Sequence, residues 1–245
     1  MQQLKKLYRK DYTGEEILLN TVYRNSVWEY EYETVPNRVT NIQISNAACI
    51  IGNGESRKDF RLDWHLKNHR SAGGRRNLQT YGCNALYRDF EPTFLVATGE
   101  QIIKELVDSH YPLNHIVYAN SKSLLQHPGY FYLIPQDLYY NAGALATYLA
   151  CFDGHKTVFL LGFDNGAGAN INNNIYAGTN CYQPADYNWD DTYFIKVMEL
   201  IMKTYDDVQF YRVMPNKEWR QPKEWLALPN YQQINFTEWS YMADL

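Results

Sequence analysis

No stretch of this chain approaches the roughly 20 consecutive apolar residues that a bilayer-crossing helix needs. The opening Met1-Gln2-Gln3-Leu4-Lys5-Lys6 is not followed by an apolar segment of signal length. Both absences lead to the expectation of a cytoplasmic protein with no membrane span. Cysteine is also scarce. Cys49, Cys83, Cys151 and Cys181 lie far apart with no Cys-x-x-Cys pair, which argues against a disulfide framework or a zinc ribbon and predicts buried free thiols. Basic runs are missing too: none exceeds Gly73-Gly74-Arg75-Arg76, and the formal net charge is −4. A chain without a positive face has no electrostatic footprint for duplex nucleic acid or an anionic membrane. Internal repeats and low-complexity segments are absent, which removes solenoids and arrays.

What remains is an ordinary globular composition over 245 residues, enough for one large domain, or one domain with a small appendage, around a substantial core. Its unusual feature is aromatic: 22 Tyr and 6 Trp supply rings with polar tips, suited to semi-buried packing and to the walls of a half-wet cleft.

Residues 1–45 are polar and aromatic, with Glu29-Tyr30-Glu31-Tyr32-Glu33 alternating like an exposed strand, and read as an N-terminal extension. At Ala47 the pattern changes. Ala47-Ala48-Cys49-Ile50-Ile51 is a short apolar run ending in Gly52-Asn53-Gly54, a buried strand opening into a tight turn. Further strands are expected at 78–83, 93–97, 115–119, 130–134, 157–163 and 208–213, with helices at 101–107, 142–152 and 192–204. The 142–152 segment is apolar nearly all round, with Asn141 as N-cap and Gly154 as its stop. Alternating strands and helices predict an α/β fold of Rossmann-like type, a mostly parallel sheet with helices on both faces. The domain is expected over 46–215, with a lid at about 165–190 and a packed, irregular tail over 216–245.

In such sheets ligands sit beyond the carboxyl ends of the strands. That rule selects Gly52-Asn53-Gly54-Glu55-Ser56, where glycines permit close backbone approach, exposed N–H groups favour an anion, and Asn53 and Ser56 add hydrogen bonds. Neither the GxGxxG spacing nor a Walker lysine is present. The same rule selects Asn84 in Gly82-Cys83-Asn84, an amide able to read a ribose hydroxyl or a base edge, and Asp164 with the loop after it. It discards His155, which precedes its strand. Arg57 and Lys58, just after the glycine turn, could hold a phosphate. His65 and His69 are four apart, but no third ligand at zinc-site spacing follows, and they sit among Lys67, Arg70, Arg75 and Arg76 as part of a solvated basic face.

The order Gly-Asn-Gly-x-Ser at 52–56, Cys-Asn-x-x-Tyr at 83–87, Tyr140-Asn141-Ala142-Gly143 opening a helix, and Gly162-Phe163-Asp164 ending a strand resembles the small single-domain bacterial sialyltransferases, which use CMP-sialic acid. It is also similar to a wider group that includes hydroxymethylpterin pyrophosphokinases and flagellin-modification proteins. The likeness spans 47–215. It implies that Asn53 and Asn84 touch a nucleotide-sugar donor, that Ala142 and Gly143 are the small residues at the helix start, and that Tyr176 binds the leaving phosphate. Asn165 stands near a second family tyrosine. Asp186-Tyr187-Asn188-Trp189-Asp190-Asp191 occupies the segment that carries the family's basic histidine and has none, leaving Asp190 or Asp191 as base, since burial can raise a carboxylate's pKa toward neutrality. An Asp ahead of an apolar-periodic helix is equally an N-cap.

The resulting expectation is a glycosyltransferase acting on a nucleotide-activated donor and a small-molecule or glycan hydroxyl acceptor, with no metal required. Two alternatives stand beside it. One is a pyrophosphokinase-like enzyme in which Asp164 and an aspartate of the 190 pair hold Mg²⁺ between ATP phosphates. The other is a binding module that keeps the nucleotide pocket without catalysis.

Overall fold

Along β4 (Ala47–Ile51) successive side chains point to opposite faces of a sheet: Ala48 and Ile50 enter one core, Cys49 and Ile51 the other. Strand β9 (Thr157–Leu161) divides in the same way, Val158 and Leu160 from Phe159 and Leu161. Strands that are apolar on both faces must be covered on both, which is why these stretches appear in the sequence as unbroken hydrophobic runs. The computed structural model describes residues 3–9, 15–24, 27–36, 46–67, 78–127, 129–134, 138–165, 173–185, 187, 190–216 and 218–243.

Before β4, the strands β1 (Gln3–Arg9), β2 (Glu15–Arg24) and β3 (Val27–Pro36) pair antiparallel in a three-stranded sheet of their own, with Gln3 opposite Val22 and Arg24 opposite Val27. The alternating acidic run at 29–33 lies within β3. After β4 come β5 (Gln79–Cys83), β6 (Phe94–Val96), α1 (Glu100–Asp108), α2 (Tyr111–Asn114), β7 (Val117–Ala119), α3 (Ser121–Gln126), β8 (Tyr132–Leu133) and α4 (Ala142–Phe152). Past β9 follow α5 (Thr192–Thr204), β10 (Gln209–Met214), α6 (Lys223–Leu226), β11 (Tyr231–Asn235) and α7 (Phe236–Ala243).

Strands β4 to β11 form one eight-stranded sheet, ordered β11-β10-β9-β4-β5-β6-β7-β8, with every neighbouring pair parallel. Helices α4 and α5 bury their apolar side chains in the core on one face, α1 and α7 on the other. The fold is α/β and Rossmann-like, as expected, with the strands at 47, 157 and 208 in one sheet. The expectation of an irregular tail needs correction. Residues 231–235 form the parallel edge strand β11, anchored by Asn230, whose Nδ2 donates to the carbonyls of Met202, Tyr205 and Val208 at 3.0, 3.2 and 3.0 Å. Among the described residues no helix is long and apolar enough to cross a membrane.

Helix α4 is the best defined of the cross-connections. Asn141 caps its start by accepting from the Ala144 N–H at 2.9 Å, worth about 1 kcal/mol. Its end is a Schellman motif: Gly154 has φ +92°, its N–H donates to Cys151 O, and the His155 N–H donates to Ala150 O. His155, buried at the amino end of β9, bonds the Tyr81 hydroxyl at 3.0 Å, far from the loops at the opposite edge. The sheet thus winds outward from β4 to β8, crosses back through α4 to β9 on the other flank of β4, and continues to β11. At this reversal the chain leaves β4 toward β5 on one flank and β9 toward β10 on the other, and open parallel sheets bind ligands in the crevice outside such a point.

Candidate functional site

The glycines of the β4 loop answer to a neighbouring backbone before any ligand. The N–H of Gly52 donates to Leu161 O at 2.8 Å and that of Gly54 to Gly162 O at 2.9 Å, so the loops after β4 and β9 are stitched together. A methyl on Gly52 would lie 2.5 Å from the Gly162 carbonyl oxygen, and one on Gly54 2.4 Å from the Asp164 carboxyl. Gly162 itself sits at φ +72°, the left-handed region that glycine occupies without strain. The two N–H groups expected to receive an anion are therefore committed within the protein.

Beyond this seam lies a cavity of about 380 Å³, in the range of small-molecule sites. Four segments converge on it: Gly52 to Gly54 after β4, Cys83 and Asn84 after β5, Asn141 to Gly143 at the start of α4, and Gly162 to Asn165 after β9. Asn53 donates from Nδ2 to the Cys83 carbonyl at 3.4 Å and to the Tyr182 hydroxyl at 3.1 Å. A carbonyl can only accept, which orients the amide and leaves Asn53 Oδ1 as a buried acceptor with no partner. Asn84 adopts φ 47° and accepts at Oδ1 from the Thr98 N–H at 2.9 Å, so the donor end of its amide is the group left for a ligand. At α4, Asn141 accepts from Ala144 N and Leu145 N bonds the Asn141 carbonyl. The N–H groups of Ala142 and Gly143 lie ahead of that ladder, at the positive end of the helix dipole.

Asp164 also lines the cavity, but its carboxylate is already occupied. It accepts from the Ser56 N–H at 2.9 Å, from the Ser56 hydroxyl, and from Asn173 Nδ2 at 2.7 Å. Burial raises its pKa above the usual carboxylate range, with the Ser56 hydrogen bonds opposing the rise. Ser56, expected as a ligand contact, is buried behind the wall and holds Asp164 instead. Arg57, expected to offer a cation beside the turn, is buried too, donating to Gly52 O at 2.6 Å and to the Tyr176 hydroxyl at 3.3 Å.

The segment expected as a lid is an ordered cover over the described residues 173–185; residues 166–172, with Asp186, Asn188 and Trp189, lie outside them. The cover is tied at its near end by Ile175 N donating to Asn53 O at 2.9 Å. At its far end Arg88 makes a two-pronged ion pair with Glu105, at 2.7 and 2.6 Å, and also donates to Thr179 Oγ1 and Asn180 O. Tyr176 is turned inward: its hydroxyl donates to Asp89 at 2.5 Å, receives Arg57, and does not reach the cavity. The tyrosine on the cavity is Tyr182, whose hydroxyl accepts from Ala85 N at 3.3 Å and from Asn53. Burial pushes its pKa up to about 12, so it is a neutral hydroxyl at physiological pH.

The two candidate bases separate cleanly. Asp190 is exposed and accepts from the Thr192 N–H at 2.9 Å just ahead of α5; hydrogen bonds from Thr192, its side chain first and its backbone second, hold the Asp190 pKa below the usual value. Asp191 lines the cavity beside Phe194; its carbonyl accepts the first helical bond from Ile195 N, while its side chain makes no capping bond. Burial pushes the Cys83 thiol up to about 12 and the Cys181 thiol in the same direction, which disfavours the thiolate form. The magnesium alternative needs Asp164 as a ligand, yet both of its oxygens accept from Ser56 and Asn173. Among the described residues no cluster of three metal-ligating side chains forms. His65 stacks on Phe60 with ring centroids 4.5 Å apart, while His69, Arg70, Arg75 and Arg76 fall outside the described residues.

Sequence reasoning places Asn173 in the polar loop at the ligand rim but does not single out Tyr182, Phe163 and Phe194 as lining residues. It identified Asn141 as a cap without placing it at the ligand. The position of α4's start at the carboxyl edge was the signal that would have placed it. It also passed over a compositional fact: between Lys156 and Lys196 there is no Lys, Arg or His. The cover and the β9 loop therefore bring no basic side chain to the site.

No family profile and no curated protein sequence matches this chain. Among solved structures, the chain is similar to a point variant of the sialyltransferase CST-II in complex with CMP, at 12% identity and a TM-score of 0.42, over 80% of this chain and 98% of that one.

Proposed function

We propose that the protein transfers a group, a sugar being the leading candidate, from a nucleotide-activated donor to a hydroxyl acceptor in the crevice between the β4 and β9 loops. One observation carries this reading: the first-turn N–H groups of Ala142 and Gly143, the amides of Asn53 and Asn84, and the carboxylate of Asp191 all belong to the wall of one cavity. Donors at a helix N-terminus suit a phosphate. The amides suit a nucleoside, whose base and ribose carry both donors and acceptors. Asp191 supplies the base. As the acceptor oxygen bonds the donor carbon, its proton passes to Asp191, and the electron pair of the broken carbon–oxygen bond leaves with the nucleotide phosphate, held at the start of α4. The acceptor is a small molecule or glycan, and the scheme calls on no metal.

Titration with CMP, UDP, GDP and ATP, in EDTA and with Mg²⁺, tests the first half of the proposal. Binding of a nucleoside monophosphate in EDTA is expected, seen as a rise in Tm. Binding of ATP alone, and only with Mg²⁺, would favour the pyrophosphokinase alternative. Asp191→Asn tests the second half: transfer should fall by about 10²-fold or more with nucleotide affinity retained, whereas Asp190→Asn should keep its rate. Nucleotide binding without turnover in the wild type would favour the binding module, a reading that the lack of any basic residue between Lys156 and Lys196 supports.

A further inference from the structure

The cavity presents a charge problem. Its lining carries two carboxylates, Asp164 and Asp191, and no Lys, Arg or His side chain among the described residues. A helix N-terminus supplies only about half a positive charge. Yet the reading above, on which this inference rests, places an anionic phosphate there.

Directly behind the wall sits a guanidinium. Arg212, on β10, is fully buried. Its Nε donates to the Phe163 carbonyl at 2.7 Å and one Nη to the Asn165 carbonyl at 2.9 Å. Those residues flank Asp164, and both line the cavity. The other Nη donates to Arg220 O at 2.9 Å and to Gln233 Oε1 at 3.1 Å. All four acceptors are neutral. Burial lowers the arginine's pKa, while Tyr231 first, and then the carboxylates of Asp164 and Asp191 through space, act on it in the opposite sense. A guanidinium keeps its proton in such surroundings. A positive charge in a low-dielectric position acts over several ångströms with little screening.

We infer that Arg212 is a positioning residue of this site with two linked effects. It fixes the turn carrying Asp164, and its buried charge is the counter-charge that lets an anion occupy a cavity whose side chains carry only negative charge. This choice has a physical advantage over a lining cation. A lysine in the cavity would pair with Asp191 and compete for the proton that Asp191 must accept, whereas a cation one hydrogen bond behind the wall biases the potential without touching either reactant.

The test compares CMP with cytidine, which differ by the phosphate, in the wild type, Arg212→Met and Arg212→Lys. The wild type should bind CMP more tightly than cytidine, with a preference that changes little as salt is raised, because the counter-charge is buried. Arg212→Met, whose folding is checked by circular dichroism, should lose on the order of tenfold in CMP affinity while cytidine shifts by no more than about twofold. Arg212→Lys, which keeps the charge but not the fork, should keep most of the preference. Equal losses for CMP and cytidine in folded Arg212→Met would leave only a structural role and overturn the inference, as would unchanged CMP affinity. If the Met variant does not fold, the wild type and Arg212→Lys decide: loss of the CMP preference in the folded Lys variant, or its collapse at high salt in the wild type, overturns the inference. Wild-type binding of CMP and cytidine with equal affinity would sink the counter-charge alone. Binding of no nucleotide or nucleoside at all would sink the proposed function with it.

Discussion

Asn53 and Tyr176 put the account to a paired test at the level of single side chains. Asn53 lines the cavity and has a buried acceptor with no partner, and the proposed function makes it a nucleotide contact. Asn53→Ala is expected to weaken nucleotide binding by about 1–3 kcal/mol in a calorimetric titration, with the fold retained. Tyr176 has its hydroxyl between Asp89 and Arg57, away from the cavity, so Tyr176→Phe should lose about 1 kcal/mol of stability in denaturant unfolding and leave nucleotide affinity unchanged. The reverse pattern would restore Tyr176 to the role that the family resemblance implied for it. Which loop tyrosine faces the ligand was not legible in the sequence, because 173–185 has no periodicity to separate one side of the segment from the other. The orientation comes from tertiary anchors, Arg88 with Thr179 and Asn53 with Tyr182, whose partners are far apart in the chain. Asp190 and Asp191 were ambiguous for a related reason: both precede α5, and only the direction of entry into the helix turns the Asp190 side chain to the Thr192 N–H and places Asp191, the N-cap residue, on the cavity.

At the level of elements, α4 carries the prediction with opposite signs for stability and binding. A methyl added at Gly143 would meet its nearest neighbours, Phe194, Asn141 and Phe163, at 3.4 to 3.6 Å, ordinary contact distances. Gly143→Ala should therefore fold and gain up to about 1 kcal/mol from better helix propensity. The same methyl occupies the first turn where the phosphate is to approach, so nucleotide affinity should fall. A variant that gains stability and binds equally well would remove the start of α4 from the site. The helix itself was legible to the residue, 142–152, because its cap, its all-round apolar composition and its glycine stop agree. Strand β9 was legible as a continuous apolar run, although it ends at Leu161, two residues short of the expected 163. Strand β11 was not. Tyr231-Gln232-Gln233-Ile234-Asn235 lies at an edge, paired on one side only, and its membership in the sheet rests on β10 and on Asn230 rather than on hydrophobicity.

For the whole molecule, the sheet order determines where a ligand can bind, and the charge distribution constrains which ligand. The reversal between β4 and β9 brings loops distant in the sequence to one crevice, and the glycine seam closes its floor. The crevice then has amides and a carboxylate on its surface, a helix start at one end and a buried arginine behind it. On the function proposed above, these features would hold a nucleotide with its phosphate at α4 and its base and ribose against the β4 and β5 loops. A crystal structure of the protein with CMP is the most direct test. The account predicts phosphate oxygens within hydrogen-bonding distance of the Ala142 or Gly143 N–H, the nucleoside against Asn53 and Asn84, and Asp191 open to the acceptor side. CMP bound outside this crevice, or bound within it with the phosphate turned away from α4, would contradict the account.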